Sequence, residues 1–309
     1  MKLNPLDQVK ASYIIAIIVL GMGLLPWWFL KWFTQPIEVS EGIFLGDPIF
    51  NVEHIVWASG YIIAVAAIWL ISYNDRSELK DIVKAIPNKK EVLRYLSLGI
   101  GMVISAMGFV YLIYYPLSFI VPSFVESWYL ESSRGFFWDE SSWYLPGNIA
   151  SFVAAVIFAP IVEEYLFRGF LLNRFSLYVG VRWAIVISSF LFAILHSDIL
   201  GAFVFAVFMC LIYIKTRSLI APMLVHFSNN LFASILEWVD LAWVTGFEEQ
   251  TLADFQAEWW IGLIALVIGC IWLGLFAKRY LMPVSELIAL HEKGVNATVL
   301  AATAHQPEA

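Results

Sequence analysis

The sequence predicts an all-α, polytopic membrane protein with about eight transmembrane helices and both termini in the cytoplasm. Three observations support this prediction. Of the 309 residues, 61% are hydrophobic and only 14% are charged, a composition outside the range of soluble globular domains. The apolar residues form runs long enough to cross a bilayer as helices. The basic residues gather in connections that fall on one side of the membrane.

The first three predicted spans precede the middle of the chain. They cover approximately residues 12–30, 52–73 and 96–120, where apolar side chains follow one another almost without interruption. The connection between the second and third spans is strongly basic and contains Arg76, Lys80, Lys84, Lys89, Lys90 and Arg94. Residues 122–147 are acidic and rich in aromatic side chains. This segment is too charged to span, and its aromatic residues indicate a position at the membrane interface.

The later half of the chain contains the remaining five predicted spans. They lie at approximately residues 148–171, 183–195, 199–214, 219–236 and 259–276. The fifth and sixth spans are short and meet at residues 196–198. Two short tilted helices and a partly re-entrant pair buried in protein both remain open for this part of the chain.

The distribution of basic residues sets the orientation. If the basic connection faces the cytoplasm, only Lys31 and Arg134 of the 18 lysines and arginines fall on the outer side, and the acidic loops face outward. An excess of lysine and arginine is typical of cytoplasmic loops, so this distribution supports the orientation. The chain then divides into an N-terminal membrane region (1–147), a central core (148–236) and a C-terminal region with an acidic loop, the last span and a tail (237–309).

Charged residues interrupt the fourth span at Glu163, Glu164 and Arg168. A charge at the centre of a membrane helix costs about 2.5–3.5 kcal/mol on insertion scales, so each needs a partner or a function. Glu164 and Arg168 are spaced i, i+4 and can form an ion pair on one face. Glu163 points about 100° away and has no local partner. Pro160, less than one turn earlier, can kink the helix and open space beside it.

Two later apolar segments contribute polar side chains, Phe192-x-x-x-His196 and His226-x-x-x-Asn230. The i, i+4 spacing places the two members of each pair on one helix face. Together with Glu163, the two histidines and Asn230 suit a divalent ion such as zinc. The same side chains equally suit a metal-free site, in which Glu163 deprotonates water and His226 with Asn230 stabilises an oxyanion. The sequence leaves both chemistries open.

The ordered set Glu163-Glu164-x-x-x-Arg168, Phe192-x-x-x-His196 and His226-x-x-x-Asn230 resembles the motifs of the CPBP family of intramembrane proteases. This family includes the type 2 CAAX prenyl endopeptidases and bacterial Abi or bacteriocin-immunity-type proteins. The likeness covers approximately residues 149–236. It implies an eight-helix membrane fold and glutamate-dependent hydrolysis of a peptide bond.

The resemblance also implies a role for each matched residue. Glu163 would activate water as the general base, and His196 would assist it or bind the metal. His226 and Asn230 would stabilise the oxyanion or complete the metal coordination, with Zn²⁺ or another divalent metal as the cofactor in the latter case. The supporting positions would be Glu164, Arg168 and Phe192.

The expected partners are the lipid bilayer and a membrane-associated protein or peptide substrate, with a prenylated CAAX-type protein as one candidate. The expected location is the bacterial cytoplasmic membrane, and no nucleic-acid signature is present. Two other functions remain open. A proton-coupled transporter also uses intramembrane Glu and His, and a catalytically silent immunity or interaction protein would keep the motifs for structure. Proteolysis that depends on Glu163 would separate the protease from both.

Overall fold

A computed structural model describes residues 52–66 except 53, 57 and 65, and residues 86–303 except 132–134, 139–142 and 246–249. The described residues form helices and no strands, which confirms the predicted helical class. The predicted first span and most of the basic connection before Lys89 lie outside the described residues. The number of eight spans and the cytoplasmic position of both termini therefore stay predictions.

Eleven α-helices make up the described part of the chain. They are α1 (His54–Ala64), α2 (Lys89–Ile120), α3 (Pro122–Val125), α4 (Leu145–Val153), α5 (Ala159–Glu164), α6 (Leu172–Ala193), α7 (Ile199–Thr216), α8 (Ile220–Val239), α9 (Leu252–Ala257), α10 (Trp259–Tyr280) and α11 (Val284–Thr303). Wider π-helical turns continue or join several of them, at Glu126–Leu130, Ala154–Phe158, Tyr165–Leu171 and Asp240–Thr245.

Among the described residues, four helical runs are long and apolar enough to cross a membrane: α2, the run Leu145–Ala193, α7 and α10. The chain is therefore an integral membrane protein. Helix α1 is a shorter apolar helix at the start of the predicted second span. Helix α8 coincides with the predicted seventh span. It falls outside the group of four because polar side chains, including His226 and Asn230, interrupt its apolar sequence.

The connection predicted between the fourth and fifth spans is itself helical. The helical run continues from Leu145 to Ala193 and is broken at Gly180, whose φ of 78° and ψ of 161° are non-helical. Glycine tolerates this positive φ because it has no Cβ. Leu172, Ser176 and Val181 on either side of the break are buried. Burial on both sides of the break holds the run against the protein interior.

Helix α2 lies between α8 and α10 and contacts both closely. Its N-terminus is fixed by a capping box between Asn88 and Glu91. A Cβ added to Gly99 of α2 would lie 2.6 Å from the carbonyl oxygen of Val225 in α8. Small residues at such crossings let membrane helices approach with their backbones nearly in contact. This approach holds α8, and with it His226, against the centre of the helical core.

Helix α10 presents a broad apolar face to the outside of the bundle. The exposed side chains on this face are Leu263, Ile264, Val267, Ile268, Ile271 and Leu275. In water such a surface would be strongly unfavourable. In a bilayer it meets hydrocarbon of similar polarity, as expected for a helix at the lipid boundary.

Candidate active site

Glu164 and Arg168 form the fully buried ion pair that their spacing predicts. Nη1 of Arg168 lies 2.9 Å from Oε1 of Glu164, and both side chains are inaccessible to solvent. Nη2 of Arg168 also donates to the carbonyl oxygen of Ala206 in α7 at 3.3 Å. The guanidinium carbon lies 4.7 Å from the ring centre of Phe192, within the range of a cation–π contact. The pair thus links α5 to α6 and α7.

His226 joins this pair from α8. Its Nδ1 lies 2.8 Å from Oε1 of Glu164. The carboxylate paired with Arg168 can only accept hydrogen bonds, so Nδ1 of His226 carries the proton. The opposite ring nitrogen, Nε2, lies 3.8 Å from Oε2 of Glu163. Glu164 therefore fixes the orientation of the imidazole and directs its free face towards the neighbouring glutamate.

Glu163 differs from Glu164 although the two are adjacent in sequence. Its side chain is 15% exposed, against 0% for Glu164. Its Oε1 accepts a hydrogen bond from the hydroxyl of Tyr61 at 3.3 Å. Its Oε2 is buried and receives no hydrogen bond from the described residues. Oε2 of Glu164 also lacks a donor among the described residues. The two glutamates therefore differ in exposure and in their partners, since Glu164 is paired with Arg168 and Glu163 is not.

Tyr61 is a site residue that sequence reasoning missed. It lies on α1 in the predicted second span, 102 residues before Glu163. A tyrosine in an apolar run belongs to no motif and is usually a packing or interfacial residue. Only the packing of α1 against the helix that carries Glu163 reveals the contact.

Asn230 lies one turn beyond His226 on the same helix face, as predicted. Its Nδ2 donates to the carbonyl oxygen of Ala155 at 2.7 Å, and its Oδ1 accepts from Nδ2 of Asn229 at 3.1 Å. Ala155 belongs to the π-helical turn Ala154–Phe158. Asn230 therefore ties α8 to a turn of the kind that often marks functional sites. An amide has two N–H groups, so one remains for another acceptor.

His196 lies close to the other site residues but does not hydrogen-bond to Glu163 in the described structure. Its Nδ1 lies 2.8 Å from the carbonyl oxygen of Phe192, and its ring stacks on that of Phe192 with centroids 4.4 Å apart. The ring of His226 lies 6.0 Å from the same Phe192. Both histidines therefore pack on one phenylalanine. Since a carbonyl only accepts, Nδ1 of His196 donates, and Nε2 is the free nitrogen.

The short link after α6 fixes the position of His196. Its backbone N–H bonds to the carbonyl oxygen of Ala193 at 3.0 Å, and the hydroxyl of Tyr114 in α2 donates to the carbonyl oxygen of Ser197. Asp198 caps α7 by accepting from the N–H of Gly201 at 3.0 Å. Burial raises the pKa of the Asp198 carboxyl to about 6. The link is thus bonded at three successive residues.

The described side chains do not fit a complete metal centre. Within this part of the chain, no three His, Cys, Asp or Glu side chains converge as metal ligands. Glu163 and His226 face each other across a 3.8 Å gap, while Nδ1 of His196 is bound to a carbonyl and the Asn230 amide bonds to Ala155 and Asn229. Zinc or another divalent metal as the cofactor stays a prediction.

Comparison with known proteins identifies the protease family to which this region is related. Residues 145–232 match the family of type II CAAX prenyl endopeptidases, Rce1-like. A curated relative, the UPF0177 protein YaiF of Lactococcus lactis subsp. lactis (strain IL1403), is 35% identical over 98 residues. That alignment covers 30% of this chain and 42% of the relative, so it spans less than half of the relative's length. No solved structure matches the chain significantly.

The predicted resemblance to CAAX-type intramembrane proteases is therefore confirmed. The matched region contains Glu163, Glu164, Arg168 and both histidine motifs, which are the residues that the structure gathers around α5 and α8. It starts at the first residue of α4. Tyr61 lies outside it.

Proposed function

We propose that this protein is an intramembrane endopeptidase that hydrolyses a peptide bond in a membrane-associated protein or peptide. A prenylated CAAX-type protein is the substrate class that the family match favours. The observation that carries the proposal is the asymmetry of the adjacent glutamates. Glu164 is fully buried and is bound by Arg168 and His226 at 2.9 and 2.8 Å, whereas Glu163 is 15% exposed, accepts from Tyr61 at 3.3 Å and faces Nε2 of His226 at 3.8 Å. The Oε2 atom of each glutamate is buried without a donor from the described residues.

Glu163 acts as the general base in this proposal. A water molecule beside the line between its Oε2 and Nε2 of His226 can contact both atoms, because their 3.8 Å separation is less than twice a hydrogen-bond length. Glu163 removes one proton from this water while the water oxygen attacks the carbonyl carbon of the peptide bond. The proton then passes from Glu163 to the amide nitrogen as the C–N bond breaks. The carboxylate is regenerated in each turnover.

The other site residues orient the reactants. Glu164 holds His226 through Nδ1, so the imidazole cannot rotate away from Glu163. Asn230 offers its second amide N–H to the oxygen that becomes negatively charged during attack. His196 extends the aromatic cluster around Phe192, and its free Nε2 is available to the substrate or the water. Removal of one oxyanion donor typically slows turnover by about 10²–10³-fold.

The test uses the full-length protein purified in detergent. The wild type and Glu163→Gln are incubated with a quenched peptide that ends in a prenylated CAAX sequence, and with the same peptide without the prenyl group. Because loss of a general base typically costs about 10²–10⁴-fold, Glu163→Gln should show no measurable cleavage. Parallel reactions with a chelator and with added zinc measure any dependence on a metal.

Glu131→Gln is the matched control because Glu131 is an exposed glutamate. It should cleave at the wild-type rate, and Glu163→Gln should unfold at the wild-type temperature. Full activity of Glu163→Gln would contradict the proposed base. If the folded wild type cleaves neither peptide nor a wider set of membrane-anchored peptides, the protease proposal fails and a silent interaction protein becomes the better reading.

A further inference from the structure

Tyr61 reaches the catalytic region from a helix that the family match does not cover. It lies on α1, while the matched region begins at residue 145. Its hydroxyl donates to Oε1 of Glu163 at 3.3 Å. Among the described residues, this is the contact that connects the N-terminal part of the chain to the candidate base.

The amphipathic burial of α1 shows that this contact belongs to a packed face. Gly60 and Ala64, spaced i, i+4, are buried, whereas Ile62 and Ile63 are 53% and 45% exposed. Tyr61 is half-buried beside the packed face. The helix therefore turns its isoleucines outward and brings the tyrosine hydroxyl to Glu163. The small side chains of Gly60 and Ala64 allow α1 to approach its neighbours closely.

The hydroxyl occupies one of the two oxygens of Glu163 and leaves the other for chemistry. Oε1 accepts from Tyr61, while Oε2 faces Nε2 of His226 at 3.8 Å. A carboxylate held at one oxygen cannot rotate freely about its terminal bond, which is otherwise soft. Oε2 of Glu163 has no donor among the described residues. Without Tyr61 the plane of the carboxylate would sample a wider range of angles, and an oxygen would be directed at His226 for less of the time.

We propose that Tyr61 is a positioning residue that holds the carboxylate of Glu163 in its reactive orientation. This inference rests on the proposed function and extends it to a residue outside the family region. Tyr61 acts through Glu163 and does not itself exchange a proton with the substrate. Helix α1 is then part of the enzyme's active site and not only a membrane anchor.

The first test compares the wild type with Tyr61→Phe, which removes only the hydroxyl. The 3.3 Å separation is longer than a typical O–H···O bond, so a moderate loss is expected. We expect kcat to fall about tenfold while KM stays unchanged, the signature of an interaction that serves the reaction and not substrate binding. The unfolding temperature should be unchanged, because the aromatic ring remains.

Tyr111→Phe is the matched control. Tyr111 lies on α2, its hydroxyl interacts electrostatically with the carboxylate of Glu258, and its ring stacks on Phe255 at 4.5 Å. Tyr111→Phe therefore removes a tyrosine hydroxyl from beside a carboxylate, as Tyr61→Phe does, but at a place away from Glu163. Its kcat should equal that of the wild type.

A second test does not depend on cleavage. A hydrophobic carbodiimide labels membrane-buried carboxyl groups, and peptide mass spectrometry follows the labelling of Glu163. A carboxylate oxygen engaged by a donor is a poorer nucleophile, so Tyr61→Phe should raise the labelling rate severalfold. Tyr111→Phe should leave it unchanged, and Glu163→Gln should give no label at this position.

The two tests separate the inference from the proposed function. Wild-type cleavage with an unchanged kcat in Tyr61→Phe would overturn the role of Tyr61 and leave the protease intact. An increase in KM alone would overturn it too, because Tyr61 would then serve substrate binding. If the wild type cleaves nothing, faster labelling of Glu163 in Tyr61→Phe still supports the positioning contact, and unchanged labelling overturns it.

Discussion

His226 hydrogen-bonds through Nδ1 to Oε1 of Glu164 at 2.8 Å, although 62 residues separate them in sequence. The contact joins α8 to α5 and gives two adjacent glutamates different chemistry. Glu164 accepts from Arg168 and His226 through one oxygen. Its charge therefore stabilises the buried guanidinium and orients the imidazole of His226. Glu163 has neither of these two partners at hydrogen-bond distance and accepts from Tyr61 instead.

The first prediction concerns the buried pair of Glu164 and Arg168. Glu164→Gln leaves the guanidinium buried without its counter-charge, which typically costs about 3–5 kcal/mol. The double variant Glu164→Gln with Arg168→Met removes both charges, and the glutamine oxygen still accepts from Nδ1 of His226. The double variant should therefore be more stable than Glu164→Gln alone. Unfolding midpoints in mixed detergent measure both.

An additive result would contradict this interpretation. If the stability lost by the double variant equals the sum of the losses in Glu164→Gln and in Arg168→Met alone, the two charges do not act as a pair. The cleavage rate of the double variant gives a further comparison. A substantial residual rate would show that Glu164 serves mainly to hold His226, since the glutamine keeps that hydrogen bond.

Contacts within one helix could be predicted from the sequence. The i, i+4 spacing places Arg168 on Glu164 and His196 on Phe192, and the structure contains both contacts. These predictions succeed because helical geometry is the same in every helix. The helical class and the apolar runs followed from composition for a similar reason, since a lone strand cannot satisfy its backbone in lipid.

Contacts between helices could not be predicted in this way. Glu164 meets His226, and Glu163 meets Tyr61, only because distant helices cross at those points. The break at Gly180 was also missed, since a positive φ leaves no periodic signal in the sequence. The motifs therefore pointed to these side chains, but the different surroundings of the two glutamates required the tertiary structure.

The second prediction concerns the crossing of α2 and α10. A Cβ added to Gly269 would lie 2.4 Å from Cα of Ser105, so the two backbones would have to separate. Gly274 lies on the same helix and has no neighbouring atom within 4 Å of an added Cβ. Gly269→Ala should destabilise the protein by about 1–3 kcal/mol, while Gly274→Ala should be neutral or stabilise it by up to about 1 kcal/mol.

Thermal unfolding of the two variants in the same detergent measures this difference. Because both changes add one methyl group to α10, differences in helix propensity are largely matched. Equal unfolding temperatures would contradict the close packing of α2 on α10. Reduced cleavage by Gly269→Ala would further show that the position of α2, which also contacts α8, affects the site.

The third prediction concerns His291 on α11, outside the membrane-spanning helices. His291 is 1% exposed, and neither ring nitrogen has a hydrogen-bond partner among the described residues. Burial, together with the positive charge of Arg217, lowers the pKa of His291 from 6.5 to about 4. The imidazole is therefore buried in its neutral form in the folded protein, on a helix that contacts α6 and α7.

The sign of the pH effect follows from these values. Between pH 6.5 and about 4 the unfolded chain binds a proton at His291 and the folded protein does not. The stabilisation is thus fully present above pH 6.5 and is lost as the pH falls towards 4. His291→Leu removes this group, so its unfolding temperature should fall less than that of the wild type between pH 7.5 and 4.5. Glu292→Gln, which changes the exposed neighbouring residue, is the control and should follow the wild type.

If His291→Leu and the wild type lose stability in parallel over this range, the imidazole is not buried in its neutral form and α11 does not dock as described.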